Sequence, residues 1–545
     1  MNLLFSTFLA LFGVAGCVGP HSEEPTPVHS SNVPAEAPAR WPVTIGCDPV
    51  IPELVCARFL DAATQDQQHF IRSGVGQSPD VRVGLSGERR VGTWTLALAA
   101  PFFTLDSNSS LASVRSAWSG EAGGKISGHG LQVDSELVSL LTALWGAPAA
   151  SVQAGDVAQL LEASFEKDAW TLVSFDQLHP HWKVLEIDGQ SPMRRNLDPS
   201  YGLHFALNAV SDDRADALAY LPTDWSNRDE SQMTIVALTG VTAITRGMSR
   251  LIERKGVDYP AKDVADLLSS ADFTHISNEV SFLSDCPRPH PRKTMRFCSH
   301  DSYIKVLEQV GADIIELTGN HNNDYGTDAF LRTLKMYEER GWKWFGGGKD
   351  RESSKKPATI EHGPHRLAFL GCNAVGGSAI SKEKKPGARP CVERTDFEDL
   401  LADVRRLRSE GWLPIVTVQY WEKYQYFPMK RQRSQFEELA DAGAVVVSGS
   451  QAHQPQGFGL RGASFIHYGP GNLFFDQMQT LGTRQEFVDM LVFYGGDLLG
   501  VDVHALLLEE YGKPRPANTQ ETHRLLRSVF KYSHRKSGLV PEDRD

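Results

Sequence analysis

The stretch Leu317-Thr318-Gly319-Asn320-His321-Asn322-Asn323-Asp324-Tyr325-Gly326 follows closely on the apolar pair Ile314 and Ile315. A turn uses Gly, Asn and Asp because they tolerate left-handed backbone. Turn chemistry does not ask for His321, and an imidazole among amides and a carboxylate can ligate a cation or move a proton. The same juxtaposition recurs along the chain. Asn278-Glu279, Gln419-Tyr420-Trp421-Glu422, Gln451-Ala452-His453 and Asn472 each follow an apolar run. Local roles compete with a shared one: His321 bonding its own loop, His453 satisfied in a core, Glu279 capping a helix.

Such clusters act together only if the elements bearing them end at one place. "MTIVALTGV" (233–241) is a continuous apolar run, as a strand buried on both faces requires. "TAITRGMSRLIERKG" after it has helical spacing. "FTHISNEVSF" (273–282), "ADIIELTGNH" (312–321), "LPIVTVQYW" (413–421), "AVVVSGSQAH" (444–453) and "SFIHYGPGN" (464–472) repeat one design, a β-branched run ending in polar residues. Alternating strands and helices give an α/β fold, and in such sheets ligands gather at the carboxyl ends of the strands.

With 545 residues the chain exceeds one ordinary core, so two folded domains are expected. The polar run "LPTDWSNRDESQ" (221–232) divides them. Before it, "TWTLALAAPFF" (93–103) and "AWTLVSFDQL" (169–178) echo each other, and "SELVSLLTALWG" (135–146) has helical spacing. Hydrophobic residues make up 41% and charged residues 22%, a globular composition. A net charge of −12 argues against nucleic acid as a partner.

The first residues, "MNLLFSTFLALFGVAGCVGP", read as a secretory signal. Val14-Ala15-Gly16-Cys17 resembles a bacterial lipobox, which implies a signal peptide over 1–17, lipidation of Cys17 and an anchor on a membrane of the cell envelope. Residues 18–40 are rich in Pro, Ser and Glu and read as a tether. Removing Cys17 from the seven cysteines leaves three sequence-local pairs, Cys47 with Cys56, Cys286 with Cys298 and Cys372 with Cys391. An even set fits disulfides in an oxidising compartment, although six cysteines allow other connectivities.

The residues also carry two family resemblances. "SLASVRSAWSG" and "HWKVLEIDGQSP" belong to a first half, 41–230, that resembles a periplasmic solute-binding α/β domain. The second half, 233–510, resembles the CapA family of poly-γ-glutamate capsule proteins, built on the calcineurin-like metallophosphoesterase fold. Gly319-Asn320-His321 matches its Gly-Asn-His signature, and Asn278-Glu279 stands at its Asn-x-Glu. "GSQAHQPQG" (449–457) replaces Gly-x-His-Pro-His, and "IHYGPGNLFFDQ" (466–477) matches its Ser-Leu-Gly-Asn-Phe strand. The resemblance implies a layered α/β/β/α sandwich, with a C-terminal helix and polar tail over 511–545. It also implies an anionic polymer, or a cell-wall glycan or peptide, as partner.

By the same resemblance His321 and Asn320 are the catalytic candidates. Glu279, Asn320, His453, Gln419 and Gln451 are the metal candidates, and Asn278, Asp324, Tyr420, Glu422 and Asn472 are the substrate-binding ones. The copy departs from the pattern, however. Val241 stands where the family's first strand ends in Asp, and Gln419 and Gln451 stand at histidine positions. Two-metal hydrolysis needs carboxylates and imidazoles to hold two dications and acidify a bound water. The set here suits one divalent cation or none. Two readings stay open: a metal-assisted hydrolase with His321 as general acid, and a non-catalytic protein that grips polymer for synthesis, export or retention. The segment "QYWEKYQYFPMKRQRSQ" (419–435), basic and aromatic, is either a polymer track or a solvated helix start.

Overall fold

The computed structural model of the chain describes residues 41–535 except 66, 75 and 122–124; Cys17, the tether and the last ten residues lie outside the described residues. The first half is built on an eleven-stranded sheet between Val43 and Ser226. Its spine is the long strand Arg89–Pro101, which pairs antiparallel with His204–Val210 on one side and Trp170–Ser174 on the other. The two echoing segments therefore face each other, Leu96 opposite Ser174 and Ala99 opposite Thr171. The helical pattern at 135–146 forms a short 3-10 turn and the helix Val138–Trp145, closed by Gly146.

The second half contains two further sheets. One, of nine strands, has the central order Lys343–Phe345, Ala312–Glu316, Phe273–Asn278, Met233–Leu238, Gln485–Tyr494, Asp497–Glu509 and Lys513–Pro516. The other, of seven, includes His365–Asn373, Leu413–Gln419, Val446–Ser450 and Ser464–His467, all parallel where they adjoin. The apolar runs are buried on both faces because the sheets pack on each other. Val236, Leu238 and Ile314 of the first meet Phe369, Ile415 and Val446 of the second. The outer face of the nine-stranded sheet carries helices Arg246–Lys255 and Thr327–Glu338 through Met248, Ile252, Phe330, Leu334 and Tyr337. The outer face of the seven-stranded sheet carries Arg394–Ser409 and Lys430–Asp441. The layers run helix, sheet, sheet, helix, a mixed α/β architecture.

One boundary differs from the sequence reading. The sheets continue past residue 510: Lys513–Pro516 extends the nine-stranded sheet and His534–Arg535 pairs with Phe458–Arg461. Pro514 and Pro516 read as breakers, but an edge strand tolerates them. The polar run 221–232, which holds the last strand of the first sheet and ends just before Met233, also clamps the halves together. The Asn227 amide donates to Thr95 O and Asp176 Oδ1 at 3.0 Å each, and Tyr494 Oη donates to Asn227 O at 2.8 Å. The apolar core itself crosses the boundary, joining Phe175, Trp182 and Met193 to Met233, Ile235 and Val492.

The three local cysteine pairs are disulfides with Cα–Cα distances of 6.0, 6.0 and 5.7 Å.

Candidate functional site

Register brings the polar clusters together at the strand ends of the second half. Ser277 and Asn278 lie beside Val241 and Thr242, and Val241 in turn pairs with Asn472. Gln419 lies beside Ser450. The loop after Ala312–Glu316 closes over Glu279 so tightly that a Cβ at Gly319 would overlap the Glu279 backbone and Cβ. The glycine of Gly-Asn-His is thus required by close approach. Asn322 staples the loop, donating to Leu317 O and Gly319 O at 3.2 Å each. Asn323 donates to Pro386 O at 3.0 Å, in the loop that Cys372–Cys391 ties down.

His321 is held by Asp324. Its Nδ1 donates to Asp324 Oδ2 at 2.7 Å, and its ring lies 4.2 Å from that of Phe297. A carboxylate can only accept, so Nδ1 keeps its proton and Nε2 carries the reactive lone pair or the acidic proton. Burial works against charge on His321, but the Asp324 hydrogen bond and the nearby Glu279 and Asp324 charges outweigh it and raise its pKa. Asp324 is therefore an orienting group; its other contacts are the Phe297 and Arg296 donors.

His453 has a parallel arrangement. Its Nδ1 lies 2.7 Å from Asn472 Oδ1, and Asn472 Nδ2 donates to His453 O and Thr483 O at 3.1 and 3.0 Å. Those carbonyls fix the amide's orientation, so His453 donates from Nδ1 and frees Nε2. The ring stacks on Phe475 at 4.8 Å, and Glu422 lies 3.9 Å from Nε2. Glu422 also accepts from the Tyr424 hydroxyl.

Glu279 is 1% exposed, and neither carboxylate oxygen has a hydrogen-bond partner. Burial raises its pKa, with His321 and His453 pulling the other way. An orphaned buried carboxylate is costly unless something pairs with it.

The three amides expected as ligands bond to one another instead. Gln419 Nε2 donates to Asn320 Oδ1 at 3.1 Å and to Gln451 Oε1, while Gln419 Oε1 lies 3.2 Å from the Ser450 hydroxyl. Gln451 holds a left-handed φ of 75° to do so, a strain a non-glycine residue adopts only where its surroundings impose it. Two substrate-binding expectations are redirected as well. The Asn278 amide donates to Val280 O and Tyr337 Oη at 2.7 Å each, facing the helix. Tyr420 is buried and donates to Gln435 Oε1 at 3.0 Å, and burial pushes its phenol up to about 12. Trp421, Tyr424 and Phe427 of the same segment are instead 41%, 53% and 44% exposed.

Arg246 is the residue the sequence reading missed. Its guanidinium lies 4.5 Å from the Phe297 ring and 5.2 Å from that of Phe475, the rings that carry His321 and His453. Nη2 pairs with Asp476 at 2.5 Å, Nε is buried without a partner, and φ is +47°. Its charge acts on both Glu279 and His321. The sequence holds one signal for it: an arginine opening a helix opposes the macrodipole, so a packing or binding reason is needed.

A dinuclear metal centre does not fit these residues. Val241 offers no donor, two amide oxygens accept from Gln419, and Glu279, His321 and His453 remain. Their ligand atoms do not all lie within 4.8 Å of one another. Among the described residues, the one His/Cys/Asp/Glu trio with ligand atoms all within 4.8 Å is Cys286, His290 and Cys298, whose cysteines are disulfide-bonded.

Residues 235–477 match the family model described as "Bacterial capsule synthesis protein PGA_cap". The chain is similar to "Capsule biosynthesis protein CapA" of Bacillus anthracis, 23% identical over 306 residues, covering 55% of this chain and 74% of that one. It is also similar to "PGA biosynthesis protein CapA" of Bacillus subtilis (strain 168), 22% identical over 245 residues. That match covers 44% of this chain and 63% of the relative, less than two thirds of its length. Among solved structures, the NAD nucleotidase NadN of Haemophilus influenzae aligns with a TM-score of 0.33 at 10% identity, covering 56% of this chain and 57% of that one.

Proposed function

We propose that the chain serves capsule biosynthesis as a CapA-type protein whose second half binds a segment of an anionic polymer of the poly-γ-glutamate class. The observation that carries this reading is Arg246, a cation wedged between Phe297 and Phe475 with one buried N–H unpaired, beside a set of amides where metal ligands would stand. A guanidinium takes a carboxylate in a fixed geometry. His321 adds a charge-assisted donor at Nε2, and the amide N–H groups of Asn320 and Gln451, held by Gln419, match the polymer's peptide-like groups. Exposed Trp421, Tyr424 and Phe427 give the chain a rim to lie along. In this reading Cys17 anchors the protein in the cell envelope, and the first half is a solute-binding-like domain.

A second reading keeps catalysis. Glu279, with both oxygens unpaired, has room for one divalent cation, and His321 is poised as an acid for a leaving group. One experiment separates the two. Titration calorimetry of poly-γ-glutamate into the full chain should give saturable binding that Arg246→Ala weakens at least tenfold, with no shortening of the polymer. Polymer cleavage lost in His321→Ala would favour the hydrolase, and absence of binding would overturn the first reading.

A further inference from the structure

A cavity of about 260 Å³ lies at the seam between the halves, between strand Trp182–Ile187 of the first and Asp497–Glu509 of the second. Its volume is near the lower end for small-molecule sites, which favour such junctions. One wall is apolar, formed by Phe102, Phe458, Leu526 and Phe530. The other bears Lys183, Glu186, Arg194, Asp502 and His504. Its charges are unequally matched. Asp502 lies 3.3 Å from Arg194 and 3.1 Å from His504, and Glu186 lies 2.6 Å from Arg194. Lys183 hydrogen-bonds only to backbone carbonyls: its Nζ donates to Thr104 O at 3.1 Å and Leu105 O at 3.4 Å. An ammonium has three donors, so one remains. Burial pulls this lysine down to about 8 although Asp502, Asp106 and Glu186 act to raise it.

We propose that this cavity binds a small amphipathic monocarboxylate, its apolar part against Phe102, Phe458, Leu526 and Phe530 and its carboxylate on Lys183. Several observations select that class. Of the cations in the wall, Lys183 alone makes its hydrogen bonds to neutral carbonyls, and the carboxylates of Glu186 and Asp502 nearby disfavour a dianion such as phosphate. The volume excludes a two-chain lipid. The site is separate from the strand-end pocket, and its occupant would touch both halves of the chain at once.

The test uses octanoate, octylamine and octanol as probes on the full chain, by titration calorimetry and thermal unfolding. Octanoate should bind at one site and raise Tm, hexadecanoate should bind more weakly for want of room, and octylamine should bind at least tenfold more weakly. Lys183→Met should weaken octanoate at least tenfold while leaving octanol unchanged. Ala517→Leu, which narrows the cavity from its lining, should weaken octanoate and octanol alike and guards against a folding defect in the lysine variant. Failure of octanoate to saturate, octylamine binding as well as octanoate, or undiminished binding by Lys183→Met would each overturn the assignment.

Discussion

Asp324 and Asn472 do the same work for two histidines, each fixing Nδ1 so that Nε2 is the atom offered to a ligand. The two partners differ in charge. Asp324 raises the pKa of His321, so Asp324→Asn should lower the His321 titration midpoint, read from its ring proton by NMR. A raised folded pKa favours the fold below the unfolded histidine value, and that contribution is lost as pH rises through the folded pKa. The variant should therefore lose stability at acid pH and little above neutrality; a uniform loss would mean that Asp324 acts through its contacts with Phe297 and Arg296 alone. Val241 gives the second residue-scale test. Val241→Asp puts a carboxylate at the strand end beside Ser277 and Asn472, and metal bound per chain should rise by one in elemental analysis. An unchanged count would show that Val241 does not face Glu279.

At the scale of elements, the loop 374–391 rests on Asn323 and is tied by Cys372–Cys391. Replacing both cysteines with alanine should cost about 3 kcal/mol by the loop-entropy model, measured by urea unfolding, and should weaken polymer binding through the loosened loop. Stability lost without any change in binding would separate the loop from the site. The strands themselves were legible: Met233–Leu238, Phe273–Asn278, Ala312–Glu316, Leu413–Gln419 and Val446–Ser450 each lie within an apolar run read from periodicity, because burial on both faces leaves an unbroken signal. The amide network was not legible, since Asn320 and Gln419 are 99 residues apart and hydrogen bonding between neutral side chains leaves no periodic trace. Arg246 was missed because its meaning lies in Phe297 and Phe475, distant in sequence. The clamping role of 221–232 was not legible for a related reason: polar composition looks the same whether side chains meet water or, like Asn227, meet both halves of the protein.

Across the whole molecule the two halves share one core and an ion network at the seam. Asp502 resists burial through His504 and Arg194, which hold its carboxyl well below the usual range; His504 overcomes burial through Asp502 and is raised. The depressed Asp502 stabilises above the unfolded aspartate pKa and the raised His504 below the unfolded histidine pKa, so both contributions are complete between about pH 4 and pH 6.5. Asp502→Asn should flatten the pH dependence of Tm on both sides of that window; an unaltered profile would place the dependence elsewhere. The joined core also predicts that the second half expressed alone exposes Met233, Ile235 and Phe458 and aggregates, which light scattering would detect. The central claim, that the strand-end pocket grips a polymer segment and lacks the ligands for two metal ions, meets its most direct test in metal stoichiometry. Full-length protein equilibrated with Mn²⁺, Zn²⁺ or Fe²⁺, desalted and analysed for elemental content should retain at most one ion per chain and release it readily to a chelator. Two tightly held ions per chain would contradict the account.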